Sequence, residues 1–269
     1  MKKILIAVSA IALMMSCKKD DPVATVVEDN NAQVNFMFQQ NYDGVEVTSA
    51  DFGTTQYTNE KGTNHTITKL QYLVSNITLH KTNGEEVNLG GYNLVDLDKE
   101  ESKLYTPSVN VPAGTYTGVS ITFGFDEEDN TTGAYTDLNA ASWSWPMMIG
   151  GGYHFMKFEG MFTNNVGSQT GFAYHNGTAS KVNADGTRTH EANHFRTRLW
   201  DFSGGFEITE GNQSTIKIKM NLAEWFKYPI TWSLDDYHAM LMPNYTAQKM
   251  MNRNGRTVFS YGGITTSAE

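Results

Sequence analysis

Cysteine, proline and basic side chains are all scarce in this 269-residue chain, which holds one Cys, six Pro and 20 Lys plus Arg against 29 Asp plus Glu. A lone thiol closes no internal disulfide. It also excludes Cys-based zinc sites, iron–sulfur clusters, c-type haem attachment and cysteine-ligated blue copper from the body of the protein, so any metal must sit on His, Met, carboxylate or aromatic-derived groups. The formal charge of −9 offers phosphate-rich polymers little to bind, and nucleic acid is not expected as a partner. Hydrophobic residues at 39%, with 12% aromatics, suffice to bury a core. No bundle of membrane-spanning length is written in them. All-β domains of this length are common as single units.

The apolar run is confined to the start. Met1-Lys2-Lys3 followed by Ile4 through Met15 reads as the basic and apolar regions of a secretory signal, too short for a stable membrane helix. It ends at Leu13-Met14-Met15-Ser16-Cys17, where a small residue precedes the only cysteine, as at a bacterial lipoprotein cleavage site whose thiol takes a diacylglycerol. Met14 departs from the usual Leu or Val. The expected organisation is a signal peptide over 1–16, a lipid-anchored flexible tether over 17–32 and one β domain over 33–269. Loss of Lys2 and Lys3 leaves 18 basic against 29 acidic side chains, a charge of −11. Lys18-Lys19-Asp20-Asp21 resembles the tether that sends some Gram-negative lipoproteins outward, so an outer-membrane location facing periplasm or cell surface is expected.

Strand-like alternation dominates the rest. It appears in Val34, Phe36 and Phe38, in Val119, Ile121, Phe123 and Phe125, and in Ile216, Ile218 and Met220 with Lys217 and Lys219 opposite. Ile67 to His80 continues into Asn83-Gly84, a pair that suits a tight hairpin before Val87 and Leu89. Only Asn244 to Asn254 looks helical, with Asn244 as N-cap and Gly255 as a C-terminal stop. The expected fold is all-β, a sandwich or partly open barrel with one short C-terminal helix.

His190-Glu191-Ala192-Asn193-His194 matches the HExxH zinc-peptidase pattern, in which one helix face carries two imidazoles and a glutamate beside a metal-bound water. Its context argues against that helix. Asp185-Gly186 signals a turn just upstream, Thr187 and Thr189 are poor helix formers, and Asn193 interrupts the apolar stripe.

The densest chemistry runs from Trp143 to Gly160. Along a strand His154 and Met156 would share a face, as would Trp143 and Trp145, so an indole pair and an imidazole–thioether pair would meet across Gly150-Gly151-Gly152. Gly171 through His175 reads as a strand returning beside the first after Asn164–Gln169, bringing a second imidazole. Imidazole and thioether without thiolate suit copper, Cu(I) above all, better than calcium or magnesium. The same residues also have an ordinary reading as satisfied histidines, packing methionines and core tryptophans. Spacing leaves both open.

This block resembles the methanobactin-associated copper-binding protein family, the MbnP-like domain. The resemblance is carried by Leu70 through Ile77, by Trp143-Ser144-Trp145 with Gly152 through Gly160, and by Tyr174-His175-Asn176-Gly177. Trp225 through Pro229, Ala247-Gln248-Lys249-Met250 and Asn254-Gly255 add to it, so that it spans about Gln33 to Phe259. It implies an exported β-rich protein that holds copper through histidines and, in some members, through a tryptophan oxidised to kynurenine by a separate di-haem peroxidase. Carried over by position, His175 falls in the His-x-Gly element, and Trp143 or Trp145 is the candidate for oxidation. Ring opening would supply amine and ketone donors that an indole lacks.

The expected copper set is therefore His154 and His175, with Met156, Met147 or Met148 as soft auxiliaries and Trp143 or Trp145 as the modified aromatic. The protein would perform no turnover, and affinity would fall below roughly pH 6 as imidazoles protonate. His65 is expected at the surface, and His80 and His238 in structural roles. Two other functions remain in view: glycan or protein binding through Trp200, Trp225, Trp232 and Tyr228, and a zinc peptidase at His190–His194.

Overall fold

A computed structural model describes residues 31–201 and 203–268. The signal segment, Cys17 and nearly all of the tether lie outside the described residues. Asn31 and Ala32, expected in the tether, are instead the first residues of a strand, where Ala32 is buried and pairs with Val111.

Period-two burial organises two sheets. In the first, strand Asn31–Tyr42 runs parallel to Asn212–Asn221, which pairs antiparallel with Phe259–Ala268. The parallel register sets Phe36 beside Ile216 and Phe38 beside Ile218 on the buried face, and Met37 and Gln39 beside Lys217 and Lys219 on the wetter one. The second sheet is antiparallel, in the order Gln169–Asn176, Met156–Thr163, Asn64–Lys81, Gly114–Phe123, Phe195–Trp200. The expected Asn83-Gly84 hairpin joins Asn64–Lys81 to Glu86–Asp96, with Gly84 at φ 90°. Aromatic contacts bridge the sheets: Phe38 meets Tyr72 at 6.3 Å between ring centroids, and Phe259 meets both Tyr72 and Phe123 at 6.1 Å. Each such buried ring contributes about 2–3 kcal/mol. The architecture is the sandwich-like all-β fold read from the sequence.

Helix Tyr245–Gly255 lies where its pattern predicts, and Asn244 Oδ1 accepts from the Ala247 N–H at 3.0 Å, as an N-cap does. Gly255 is not a left-handed stop but the last helical residue. A Cβ there would collide with the rings of Phe195 and Trp225, so glycine serves close packing. A second helix, the single turn Thr136–Ala140, was not expected; it buries only Leu138.

Strand Asn64–Lys81 exchanges neighbours along one edge. His65 to Tyr72 pair with Met156–Thr163, and Val74 to Lys81 with Gly114–Phe123. At the gap, the Leu73 N–H donates to Phe155 O and the Gly124 N–H to Leu73 O, both at 2.9 Å. Residues 124–155 thus leave and re-enter the sheet at one place. Phe125, Leu138, Trp143 and Tyr153 form a small core around Leu73 that folds this excursion back as a cap.

Candidate metal centre

The cap's return arm carries Trp143 and Trp145. Ser144 bridges to Tyr153, and the chain between them reverses through the turn Met147–Ile149 and Gly150-Gly151-Gly152. These glycines hold φ of 119°, 64° and 82°, a run that other residues adopt only under strain. The reversal lets the Trp145 N–H donate to Gly152 O at 2.9 Å and the His154 N–H to Trp143 O at 2.8 Å. His154 is thereby held against both indoles, 5.6 Å from Trp143 and 4.9 Å from Trp145 between ring centroids. All three are buried.

His175 arrives from the neighbouring strand, in register with Lys157. Its ring centre lies 5.5 Å from that of His154, the planes 79° apart. Each ring is oriented by an acceptor on one nitrogen. Nδ1 of His154 faces the Trp143 carbonyl at 3.0 Å, and Nε2 of His175 faces Glu159 Oε1 at 2.9 Å. A carbonyl and a carboxylate only accept, so these nitrogens are the N–H donors, and in the neutral rings the lone pairs fall on Nε2 of His154 and Nδ1 of His175. Burial pushes His154 down to about 3, with nearby Lys157 and His175 adding to the fall against the pull of the Trp143 carbonyl. Glu159 is held below the ordinary carboxylate range, first by the His175 bond and further by Lys69 and Lys157.

Two imidazole nitrogens sharing an ion at about 2.0–2.1 Å put their ring centres at most roughly 6 Å apart, and the 5.5 Å between the His154 and His175 ring centres lies within that limit. An acceptor on one ring nitrogen is the usual support of metal-binding histidines. Among the described residues, no group of three or more His, Cys, Asp and Glu side chains is placed to hold a metal, so a fuller donor set would need another kind of group. The indole nitrogens differ. That of Trp145 donates to Ile149 O at 3.3 Å, whereas that of Trp143 is buried and finds no acceptor among the described residues. Lys157 Nζ sits 4.9 Å over the Trp143 ring and donates to Ser142 O at 2.9 Å. His175, with 16% of its side chain exposed, is the open side of the cluster.

Met156 is not brought to this site. It sits in the main core on the inner face of its strand, beside Phe158, while Lys157 and Glu159 face outward with His175. Phe155 and Met156 are consecutive yet both buried in that core. The alternation that would give His154 and Met156 a common face therefore slips between them. Met147 and Met148 are 69% and 84% exposed. His65, expected at the surface, is buried among Tyr42, Tyr57, Phe172 and Phe226. His80 is hydrogen-bonded to Ser120 and His238 to the Leu234 carbonyl, as structural residues are. Trp225 and Trp232 are core residues, leaving Trp200 and Tyr228 as the exposed members of the proposed binding platform.

The zinc-peptidase geometry is absent. His190 and Glu191 end the strand Arg188–Glu191, and His194 follows in a connection, 3.8 Å from Glu127. Glu191 is engaged by the Tyr245 hydroxyl at 2.8 Å and Lys249 at 3.3 Å.

Three residues around the pair carried no role in the sequence reading: Glu159, Lys157 and Gln248. Gln248, on the C-terminal helix, donates to His175 O at 2.8 Å and accepts from the Gly177 N–H at 3.2 Å. Lys157 and Glu159 were signalled by alternation along their strand once the returning strand is set in register beside it.

The family model for MbnP matches residues 31–245, most of the described chain. This chain belongs to the MbnP family. Among solved structures, MbnP from Methylosinus trichosporium is similar over 88% of this chain and 99% of that one, with a TM-score of 0.55 and 12% identity, a likeness that speaks for the fold. No curated protein matches the chain. Within the MbnP family match fall both histidines and both cap tryptophans, while most of the C-terminal helix lies beyond it.

Proposed function

We propose that this MbnP-family protein is an exported lipoprotein that captures copper outside the cytoplasm and passes it to an uptake or processing partner, without catalysing a reaction. The observation that supports the reading is the His154–His175 pair, two imidazoles with ring centres 5.5 Å apart, each hydrogen-bonded to an acceptor through one nitrogen, with His154 packed against two tryptophans. Imidazole nitrogens suit Cu(I) and Cu(II) alike. The buried rings exclude water on one side, and the exposed edge of His175 is where the ion enters.

Trp143 or Trp145 is the group proposed to complete the donor set, after oxidation by a di-haem peroxidase partner. In that conversion the indole ring opens, one carbon leaves at the formate level and a ketone oxygen is gained, for a mass increase of about 4 Da. Cys17 is the proposed site of lipidation, which would hold the protein at the outer membrane, facing periplasm or cell surface.

Copper titration of the soluble domain tests the reading. Wild type should bind one ion tightly, and His154→Ala and His175→Ala should each abolish or greatly weaken that binding. Unchanged stoichiometry and affinity in both variants would remove the assignment. Peptide mapping of protein from its native host locates the mass gain on Trp143, on Trp145 or on neither.

A further inference from the structure

We infer that Glu159 is a positioning residue that fixes His175 as the Nε2–H tautomer, so that the two histidines offer a metal unlike nitrogens, Nε2 from His154 and Nδ1 from His175. The metal in this inference rests on the copper reading above; the tautomer does not. Glu159 and His175 lie on adjacent antiparallel strands, one diagonal step apart on the outer face, because Ala173 is the register partner of Glu159 and Lys157 that of His175. Their 2.9 Å contact therefore follows from strand register. The carboxylate is anchored as well as close. Its residue also pairs with Lys69 across the other strand edge, and Lys69 Nζ lies 3.9 Å from the same Oε1 that His175 meets.

The remaining polar neighbours do not compete for the ring. Lys157 directs its ammonium to the Ser142 carbonyl and the Trp143 face, Gln248 takes the backbone carbonyl of His175, and His154 spends Nδ1 on Trp143. Glu159 is thus the acceptor that decides which nitrogen of His175 carries the proton. His154 is oriented by a main-chain carbonyl that no substitution removes, whereas His175 depends on a side chain. Mutation can therefore separate the two.

Two-bond proton–nitrogen NMR of the metal-free domain at about pH 8, above the ordinary imidazole range, reads both tautomers directly. The expected result is a hydrogen-bonded Nε2–H on His175 and an Nδ1–H on His154. In Glu159→Ala the protected Nε2–H signal should vanish, and affinity for cuprous ion, measured against a chromophoric chelator, should fall about 10–100-fold with the thermal midpoint little changed. Glu159→Gln keeps an acceptor oxygen and should lose less. Cuprous loading should shift the Nδ1 resonance of His175 and the Nε2 resonance of His154. An Nδ1–H tautomer of His175 in wild type, an unaltered Nε2–H signal in Glu159→Ala, or ligation through Nε2 of His175 would overturn the inference. Wild type that shows the predicted tautomers but takes up no copper would instead refute the copper reading and leave the role of Glu159 standing.

Discussion

A buried imidazole with no acid against it gives up its proton, and two rings in this protein show the consequence. His154 is pushed down to about 3 and His65 to about 4, in both cases chiefly by burial. His154 is then a free base through the mildly acid range, so on the copper reading proposed above the proton competition expected near pH 6 would not act through this ring. His65 has a different consequence, for stability. Its Nε2 finds no partner among the described residues, and its neighbours are aromatic faces. The unfolded chain binds this proton below about 6.5 while the native ring refuses it until about 4. Stability is therefore complete above the unfolded value and falls with pH, by about 3 kcal/mol at pH near 4 from His65 alone. His65→Phe keeps the aromatic packing and removes the titration. Urea unfolding from about pH 7 to 4 should show a shallower loss in this variant than in wild type; parallel curves would show that the ring is protonated in the native state.

Among the elements, the helix Tyr245–Gly255 has a reach beyond its own length. Gln248 ties it to the end of strand Gln169–Asn176, and Asn252 ties it to the connection before Phe195, donating to Asn193 O at 2.8 Å. Removing the Gln248 amide strands the His175 carbonyl and the Gly177 N–H in a buried place. Gln248→Ala should cost about 1–3 kcal/mol of stability and weaken copper binding through His175, while Lys249→Ala, on the more exposed side of the same helix, should do neither. Calorimetric melting and copper titration of both variants check this. The helix and its N-cap were legible because capping and helical period are local. So were the strands Asn31–Tyr42 and Asn212–Asn221, which bury largely alternate residues, and Gly114–Phe123, whose large apolar residues alternate although Gly118 through Phe123 are buried on both faces. The partner exchange at Leu73 was not legible, since it depends on two hydrogen bonds to residues far away in the chain. Met156 was misplaced for a related reason: period-two reasoning carries a side-chain direction only while the strand stays regular, and Phe155 interrupts it.

For the whole molecule, the acidic charge and the single cysteine lead to one proposal, a body held near a membrane by lipid and not by its surface. Among the described residues no helix is long and apolar enough to cross a bilayer. Cys17→Ser should move the protein from the membrane fraction to the soluble one on cell fractionation and leave copper binding by the folded domain intact. A variant still found with membranes would contradict lipidation at Cys17. The approach of His154, His175 and the two tryptophans was legible at this scale from a turn, a returning strand and the family resemblance together. Glu159 was in plain sight in the same segment, but its bearing on the site emerges only when the register brings it diagonally beside His175.

In the proposed function, one copper ion lies between the imidazoles of His154 and His175. Anomalous diffraction at the copper edge, from crystals of the copper-loaded domain, locates the ion without relying on affinity or on a mutation. A single strong peak between the imidazoles of His154 and His175, bordered by Trp143 and Trp145, is the predicted result. A peak at Met147 and Met148 or at His190 and His194, with none between His154 and His175, would contradict it.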